Sequence, residues 1–165
     1  MMYPVPDPVG PGQQSVWDFP RPAVAQPIGA HLLVTLAGRT IAETRRGVRT
    51  VETSHPPTYY FPPEDVAAGV LRQAAATSFC EWKGTAEYFD VIADIIVLPG
   101  TAWSYPRPTP GFAVLRGFVA FYAAAMDACF VDGERVQPQP GGFYGGWITS
   151  AVVGPFKGVP GSRGW

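Results

Sequence analysis

Hydrophobic and polar residues alternate along much of the chain between positions 31 and 136. This period of two is typical of β-strands, whose successive side chains point to opposite faces. Residues 32–36 and 40–44 flank an Ala-Gly-Arg turn and predict a hairpin. Further strands are predicted over residues 48–53, 78–83, 86–92, 95–98, 102–105 and 117–122. The pattern therefore predicts a mainly β protein.

A second hairpin is predicted over residues 126–136, where Asp132 and Gly133 separate two strand-like segments. An Asp-Gly pair readily adopts the two positive φ angles of a type I′ turn. This segment has the strongest hairpin pattern in the chain.

Proline pairs at 56–57 and 62–63 enclose residues 58–61, Thr-Tyr-Tyr-Phe. Because proline fixes φ and restricts the preceding residue, this segment is predicted to be a rigid aromatic loop. Pro63 is followed by two acidic residues and then by apolar residues at helical spacing. One short α-helix is therefore predicted over residues 63–73.

The chain is predicted to form one domain. Its 165 residues suit a single core. Residues 1–15 are rich in proline and are expected to form a flexible or draped arm, which leaves residues 16–165 as the β-rich domain. Residues 138–165 combine glycine with aromatic residues, and we expect them to wrap the body and to be anchored by Phe143, Tyr144, Trp147 and Phe156.

Composition narrows the possible partners and location. Hydrophobic residues make up 47% of the chain, enough for a substantial core. The net charge is −1 and the basic residues are scattered, so no nucleic-acid partner is expected. No apolar run approaches the roughly 18 residues of a membrane span. Two cysteines and no secretory signal favour the cytoplasm.

The first candidate site is the segment 52–64, where a strand end leads into the proline-enclosed loop. Glu52 could act as an acid, a base or a polar anchor, with Tyr59 and Tyr60 forming a pocket wall. The alternative is a surface loop whose rings cover the core. Ser54 and His55 are adjacent, which does not define a catalytic triad, and a turn or capping role suits Ser54 better.

The second candidate is the segment 78–84. Along a strand, Glu81 and Lys83 would share one face, and Cys80 and Trp82 the other. If the charged face is in water, the ion pair contributes little. If it lines a cavity, Lys83 becomes an anion-binding group or one with a shifted pKa.

The third candidate is the pair Trp103 and Tyr105, which are two residues apart and so share a strand face. Aromatic residues at this spacing are common in cores. Together with Trp82, Tyr59 and Tyr60 they could also line an aromatic pocket.

No metal site and no cofactor is expected. The histidines and cysteines are far apart and form no Cys-x-x-Cys or His-Glu-x-x-His pair. The glycine-rich segment 141–147 lacks the Gly-Lys-Ser/Thr ending of a phosphate-binding loop.

Several segments together resemble a widespread, mostly bacterial family catalogued as domain of unknown function 427. They are VWDFPRP at 16–22, ETSHPPTYYFPPEDV at 52–66, SFCEWKGTAEYFDV at 78–91, AWSYPRPTPGF at 102–112, GFVAFY at 117–122 and DGERVQPQPGGFYGGWIT at 132–149. The resemblance implies a β-tent-like fold, with two antiparallel sheets packed at a steep angle around a cleft. Similar domains bind small ligands or zinc, but the zinc-binding cysteine pairs are absent here.

The family is sometimes labelled nucleotidyltransferase-like. The chain gives that label no support, because it lacks a Gly-Ser followed by the paired aspartates that hold metal ions in such chemistry.

The leading functional hypothesis is a domain that binds an unidentified small molecule in an aromatic cleft. The residues expected to border it are Glu52, Tyr59, Tyr60, Trp82, Lys83, Trp103 and Tyr105. One alternative is an enzyme that uses Glu52 or Lys83 for acid/base chemistry. Another is a structural or interaction module that docks a partner through residues 138–165.

Overall fold

The computed structural model describes residues 3–165, and short antiparallel strands dominate it. The mainly β prediction is confirmed. The strands are β1 Gln14–Ser15, β2 Val24–Pro27, β3 Leu32–Leu36, β4 Arg39–Thr44, β5 Val48–Val51, β6 Thr58–Tyr60, β7 Leu71–Cys80, β8 Gly84–Ala93, β9 Ile96–Ser104, β10 Val119–Phe121, β11 Ala128–Val131, β12 Glu134–Arg135, β13 Gln137–Pro138, β14 Trp147–Ile148 and β15 Val152–Val153. Short 3₁₀ turns lie at Val16–Asp18, Pro63–Asp65, Pro110–Leu115 and Ala123–Ala125.

Three sheets form the body. Sheet A has four strands in the order β10-β9-β8-β7, sheet B has four in the order β12-β11-β3-β4, and sheet C has three in the order β2-β5-β6. An isolated bridge between Phe61 and Val119 connects sheet C to sheet A, since each backbone N–H donates to the other residue's carbonyl at 2.8 Å. Hydrogen bonding therefore continues from β6 to β10. The steep packing angle implied by the family resemblance stays a prediction.

Both predicted hairpins are confirmed. Strands β3 and β4 pair antiparallel, as do β11 and β12. At the first turn Ala37 and Gly38 have φ angles of 54° and 69°, and at the second Asp132 and Gly133 have 49° and 80°. Two consecutive positive φ angles are those of a type I′ turn, whose twist matches that of the strands.

The predicted α-helix over residues 63–73 is wrong. A single 3₁₀ turn spans Pro63–Asp65, and Leu71 begins β7, where it pairs with Val91. Gly69 has a φ of 78°, which interrupts any helix at that point. The apolar residues at helical spacing are instead used by strand pairing, since Val66 bridges Ala42 of β4.

The proline-enclosed segment 58–61 is also not a loop. Residues 58–60 are strand β6, which pairs with β5, and Phe61 makes the bridge to Val119. The prolines therefore limit the length of a buried strand, and hydrogen bonds to both neighbours fix its position.

Two strand boundaries differ from the sequence prediction. The segments predicted at 95–98 and 102–105 form one strand, β9, with Gly100 at a φ of 64° within it. The backbone N–H of Gly100 donates to the Asp90 carboxylate at 3.0 Å, so the irregular point is tied to β8. The strand predicted over 78–83 ends at Cys80, and residues 81–83 form a turn.

Buried side chains form two large clusters. The first contains Leu32, Ile41, Phe61, Phe121 and Trp147, and the Trp147 indole donates to the Phe121 carbonyl at 3.1 Å. The second contains the rings of Tyr60, Trp103, Tyr105 and Phe112 together with Leu115. This second cluster supports one wall of the cleft described below.

The two ends of the described chain pack against each other. The Asp7 N–H donates to the Gly154 carbonyl at 2.8 Å, and β1 pairs in parallel with β15. In the C-terminal segment Trp147 is buried, whereas Phe143 is 75% exposed and does not act as the expected anchor. The predicted arm includes residues 1 and 2, which lie outside the described residues. Within residues 3–165, no helix is long and apolar enough to cross a membrane.

Candidate functional site

A cleft of about 410 Å³ lies where sheet C, sheet A and the C-terminal segment meet. Sheet C contributes Glu52, just after β5, and Tyr60 at the end of β6. Sheet A contributes the end of β7, the turn that follows it, and residues on β8 and β9. The C-terminal segment closes the remaining side with Gln139, Phe143, Tyr144, Gly145 and Lys157.

Six of the seven residues expected at the site line this cleft: Glu52, Tyr60, Trp82, Lys83, Trp103 and Tyr105. Tyr59 does not line it. Neighbouring residues on β6 point to opposite faces, so Tyr59 enters the first core cluster, with its ring centroid 5.4 Å from that of Trp147. Tyr59 and Tyr60 therefore do not share a wall.

Aromatic rings make up one side of the cleft. Trp103 on β9 is paired with Tyr88 on β8, and its ring centroid lies 4.6 Å from that of Tyr122. Behind them, the ring centroids of Tyr60 and Tyr105 are 6.5 Å apart. Burial raises the pKa of both phenols, so both stay protonated at neutral pH.

The rim of the aromatic wall depends on a glycine. A Cβ atom at Gly145 would come within 2.8 Å of Cζ2 of Trp103, well inside van der Waals contact. Glycine at this position lets the backbone of the C-terminal loop lie directly against the indole.

A carboxylate and an imidazole lie side by side in the cleft. Oε2 of Glu52 is 3.6 Å from Nε2 of His55 and 3.8 Å from an Arg21 nitrogen. Burial raises the pKa of Glu52, although Lys83, Arg21 and Lys157 act in the opposite direction. Burial and the same three cations lower the pKa of His55 to about 4, so the imidazole is neutral at neutral pH.

Gln139 fixes the orientation of His55. Its Oε1 accepts the Gly146 N–H at 3.1 Å, and its Nε2 donates to the Lys157 carbonyl at 2.9 Å, which sets the direction of the amide. The second Nε2 hydrogen points to Nδ1 of His55, 3.0 Å away. We infer that Nδ1 is the acceptor and that the imidazole proton is on Nε2, the nitrogen nearest Glu52.

Two ammonium groups border the same cleft. Nζ of Lys83 is 4.0 Å from the Cys80 sulfur and 5.9 Å from the ring centroid of Phe112. Nζ of Lys157 donates to a backbone oxygen of Trp165, the last residue of the sequence, at 3.1 Å and lies 5.7 Å from the Tyr144 ring centroid. Lys83 forms no ion pair with any residue between positions 3 and 165. In that same part of the chain, no three His, Cys, Asp or Glu side chains are grouped to hold a metal ion.

Comparison with known proteins identifies the family. A family model described as a domain of unknown function, DUF427, matches residues 24–132, which is more than half of the chain. The chain belongs to the DUF427 family. No curated protein matches it.

The match covers the two sheets that form the aromatic wall of this DUF427 protein. Glu52, His55, Lys83 and Trp103 all lie inside the matched residues. Gln139 and Lys157 lie beyond position 132 and approach the cleft from the C-terminal segment. The cleft therefore combines side chains of the matched region with others that follow it.

Sequence reasoning missed several residues that line the cleft of the DUF427 protein: Tyr88, Tyr122, Gln139, Tyr144 and Lys157. His55 lies within the candidate segment 52–64 but was not among the seven residues expected to border the cleft. Tyr88 could have been found from the β8–β9 pairing, which places it opposite Trp103. Gln139 and Lys157 come from a segment with no regular pattern, so no local signal indicated them.

The expected alternation over residues 80–83 is wrong. Because residues 81–83 form a turn, Cys80, Glu81, Trp82 and Lys83 all line the cleft, and no two opposite faces exist there. A strand would have directed Trp82 and Lys83 to opposite sides.

Proposed function

We propose that the cleft binds a small organic molecule, with the aromatic wall as its main contact surface. The observation that carries this proposal is the convergence of Tyr60, Trp82, Trp103, Tyr105 and Tyr122 on one concave surface of about 410 Å³. Small-molecule sites typically have volumes of about 300–1,000 Å³ and combine apolar and aromatic walls with a few polar groups.

Three rings of the aromatic wall are held in place by core packing without a ligand. Trp103 and Tyr105 are each 7% exposed and Tyr60 is 2% exposed, because the second core cluster packs behind them. A preformed wall loses little conformational entropy on binding, which favours affinity for a planar apolar group. Glu52 lies beside this wall and can accept a hydrogen bond from a ligand donor.

A thermal-shift screen followed by calorimetry tests this function. Trp82 is only partly buried, so Trp82→Ala should remove ligand contact with a modest loss of stability. Trp17→Ala is the matched control, since Trp17 is also partly buried but packs against Trp165 outside the cleft. Compounds that stabilise the protein should bind at least about tenfold more weakly to Trp82→Ala, a loss of about 1.4 kcal/mol. Binders that are all insensitive to Trp82→Ala would contradict the proposal.

A second candidate function is acid/base catalysis on the bound molecule. The observation that favours it is the Glu52 carboxylate, whose pKa is raised by burial while the Nε2–H of His55 lies next to it. Glu52 would transfer the proton, and His55 would hold the carboxylate in place. Lys83, the other acid/base candidate, lines the same cleft.

Catalysis is tested by comparing Glu52→Gln with the unchanged protein on any compound that the screen identifies. The catalytic function predicts that Glu52→Gln binds the compound and does not convert it, because the glutamine amide cannot accept or donate a proton as a carboxyl group does at neutral pH. Equal turnover by both proteins would exclude Glu52 as the proton-transfer group.

A further inference from the structure

The chain contains only two lysines, Lys83 and Lys157, and both line the cleft. The ten other basic residues are arginines, so every primary ammonium side chain of the protein is in this one place. Lys83 follows β7, and Lys157 comes from the C-terminal segment, so the two reach the cleft from distant parts of the chain.

The two lysines line the same cleft as Glu52 and His55. The positive charge of each lysine lowers the pKa of both groups. Arg21 is the third cation there and faces the Glu52 carboxylate at 3.8 Å. Lys83 has no such partner among residues 3–165, whereas Lys157 binds an oxygen of Trp165.

Within the described part of the chain, Lys83 is the cation of the cleft that has no carboxylate partner. The lining carboxylates are Glu52 and the exposed Glu81, and the lining cations are Lys83 and Lys157, while Arg21 pairs with Glu52 and His55 is neutral at neutral pH. A cation without a carboxylate partner in a half-enclosed, ring-lined space attracts an anion more strongly than it would on an open surface.

A further positive charge lies toward Lys157. A second cavity of about 200 Å³ borders the cleft and shares Lys157, Phe143 and Tyr144 with it. Arg163 also lines this second cavity, which places another guanidinium on the same side. Nζ of Lys157 donates one hydrogen to a backbone oxygen of Trp165, and an ammonium group has two more hydrogens to give.

We propose that the ligand is a ring-bearing acid, whose carboxylate or phosphate binds to Lys83 and Lys157 while its ring packs against the aromatic wall. This inference rests on the proposed function and specifies its ligand class. The ring occupies the space beside Trp103 and Tyr122, and the anion lies toward the C-terminal segment. Glu52 then contacts a donor group on the ring.

Calorimetry with three matched compounds tests this ligand class: 2-naphthoate, 2-naphthyl phosphate and the neutral 2-naphthamide. The three share one ring system, so differences in affinity report the anionic group. We expect at least one of the two anions to bind about tenfold more tightly than the amide, and the tighter anion distinguishes a carboxylate ligand from a phosphate ligand.

Variants assign the effect to the lysines. Lys83→Gln and Lys157→Gln should each reduce anion affinity about fivefold or more and leave the affinity for 2-naphthamide within about twofold. Lys83→Arg and Lys157→Arg keep the charge and should retain most of the affinity. Arg39→Gln is the control, because Arg39 pairs with Asp94 outside the cleft.

The outcomes separate this inference from the proposed function. Equal affinity for the acids and the amide, or anion binding that is insensitive to both lysine variants, would contradict the proposal that the ligand is a ring-bearing acid. If those compounds still lose affinity in Trp82→Ala, the aromatic cleft stands as a binding site. Failure of all three compounds to bind at millimolar concentration would contradict the proposal that the ligand is a ring-bearing acid. The proposed function would be contradicted only if every compound that binds the protein were insensitive to Trp82→Ala.

Discussion

Nε2 of Gln139 lies 3.0 Å from Nδ1 of His55, across 84 residues of sequence. This hydrogen bond connects the C-terminal segment to the turn that precedes β6. Gln139 follows the residues that match the family model, whereas His55 lies within them. The amide donates to Nδ1, which leaves the proton of His55 on Nε2, the ring nitrogen that lies 3.6 Å from Oε2 of Glu52. The geometry of the polar groups therefore depends on a contact between distant segments.

The lowered pKa of His55 predicts how stability depends on pH. The folded protein binds this proton only near pH 4, whereas the unfolded chain binds it near pH 6.5. Between these values the unfolded state holds more protons, so the free energy of unfolding should fall as the pH falls from about 6.5 to 4. The contribution is at most about 3 kcal/mol.

Urea denaturation at pH 7, 5.5 and 4.5 checks this prediction. Glu52 acts in the opposite direction because its pKa is raised in the folded state, so the comparison is made with His55→Gln. The variant should lose less stability on acidification than the unchanged protein. The same loss in both proteins would mean that His55 is not held neutral in the folded state.

Replacing Gln139 with glutamate should raise the pKa of His55. A carboxylate at this position places a negative charge about 3 Å from Nδ1 and favours the imidazolium. It also removes the donor to the Lys157 carbonyl, which should destabilise the protein by about 1–3 kcal/mol. An NMR titration of the imidazole Cε1–H should show the midpoint moving upward from about 4. An unchanged midpoint would contradict the placement of Gln139 beside Nδ1.

Gly145→Ala should disturb the aromatic wall. The added methyl group would overlap the Trp103 indole, and we expect a loss of about 1–3 kcal/mol in the free energy of unfolding together with a change in near-ultraviolet circular dichroism. Gly29→Ala is the control, since nothing lies within 4 Å of the added atom. Equal stability of the two variants would show that the loop does not lie against Trp103.

Tyr59→Ala should lower stability without affecting ligand affinity. Tyr59 packs against Trp147 in the first core cluster, so its removal leaves a cavity and should cost about 3–5 kcal/mol. Tyr122→Ala should weaken ligand affinity with a smaller loss of stability, because Tyr122 is half-buried at the cleft beside Trp103. Chemical denaturation gives the stabilities, and calorimetry with any screened compound gives the affinities. A weaker affinity in Tyr59→Ala would contradict its placement away from the cleft.

Local patterns predicted the two hairpins and the mainly β class. The alternation over 32–44 and the Asp-Gly pair at 132–133 specify hairpins within a few residues, where register follows from the turn itself. The same alternation placed Trp103 and Tyr105 on one strand face, and both line the cleft. The helical spacing over 63–73 led to a wrong prediction, because Val66 and Leu71 pair with Ala42 and Val91, which lie far from them in the sequence.

The candidate site was only partly predictable for the same reason. Recognising 58–61 as a strand would have separated Tyr59 from Tyr60, but its partners β5 and β10 cannot be read from the segment itself. Gln139 and Lys157 lie in a glycine-rich segment whose path over the cleft depends on packing at Trp147 and Gly145. Packing between distant segments produces no periodic pattern of hydrophobic and polar residues from which it could be predicted.

NMR spectra of the five indole N–H groups provide the most direct test that this cleft is a ligand site. Trp82 and Trp103 line the cleft, whereas Trp17 packs at the chain ends and Trp147 lies in the core. Titration with a ring-bearing compound that stabilises the protein should shift the Trp82 and Trp103 signals and leave those of Trp17 and Trp147 in place. Shifts confined to Trp17, or binding that moves neither cleft signal, would contradict the proposed site.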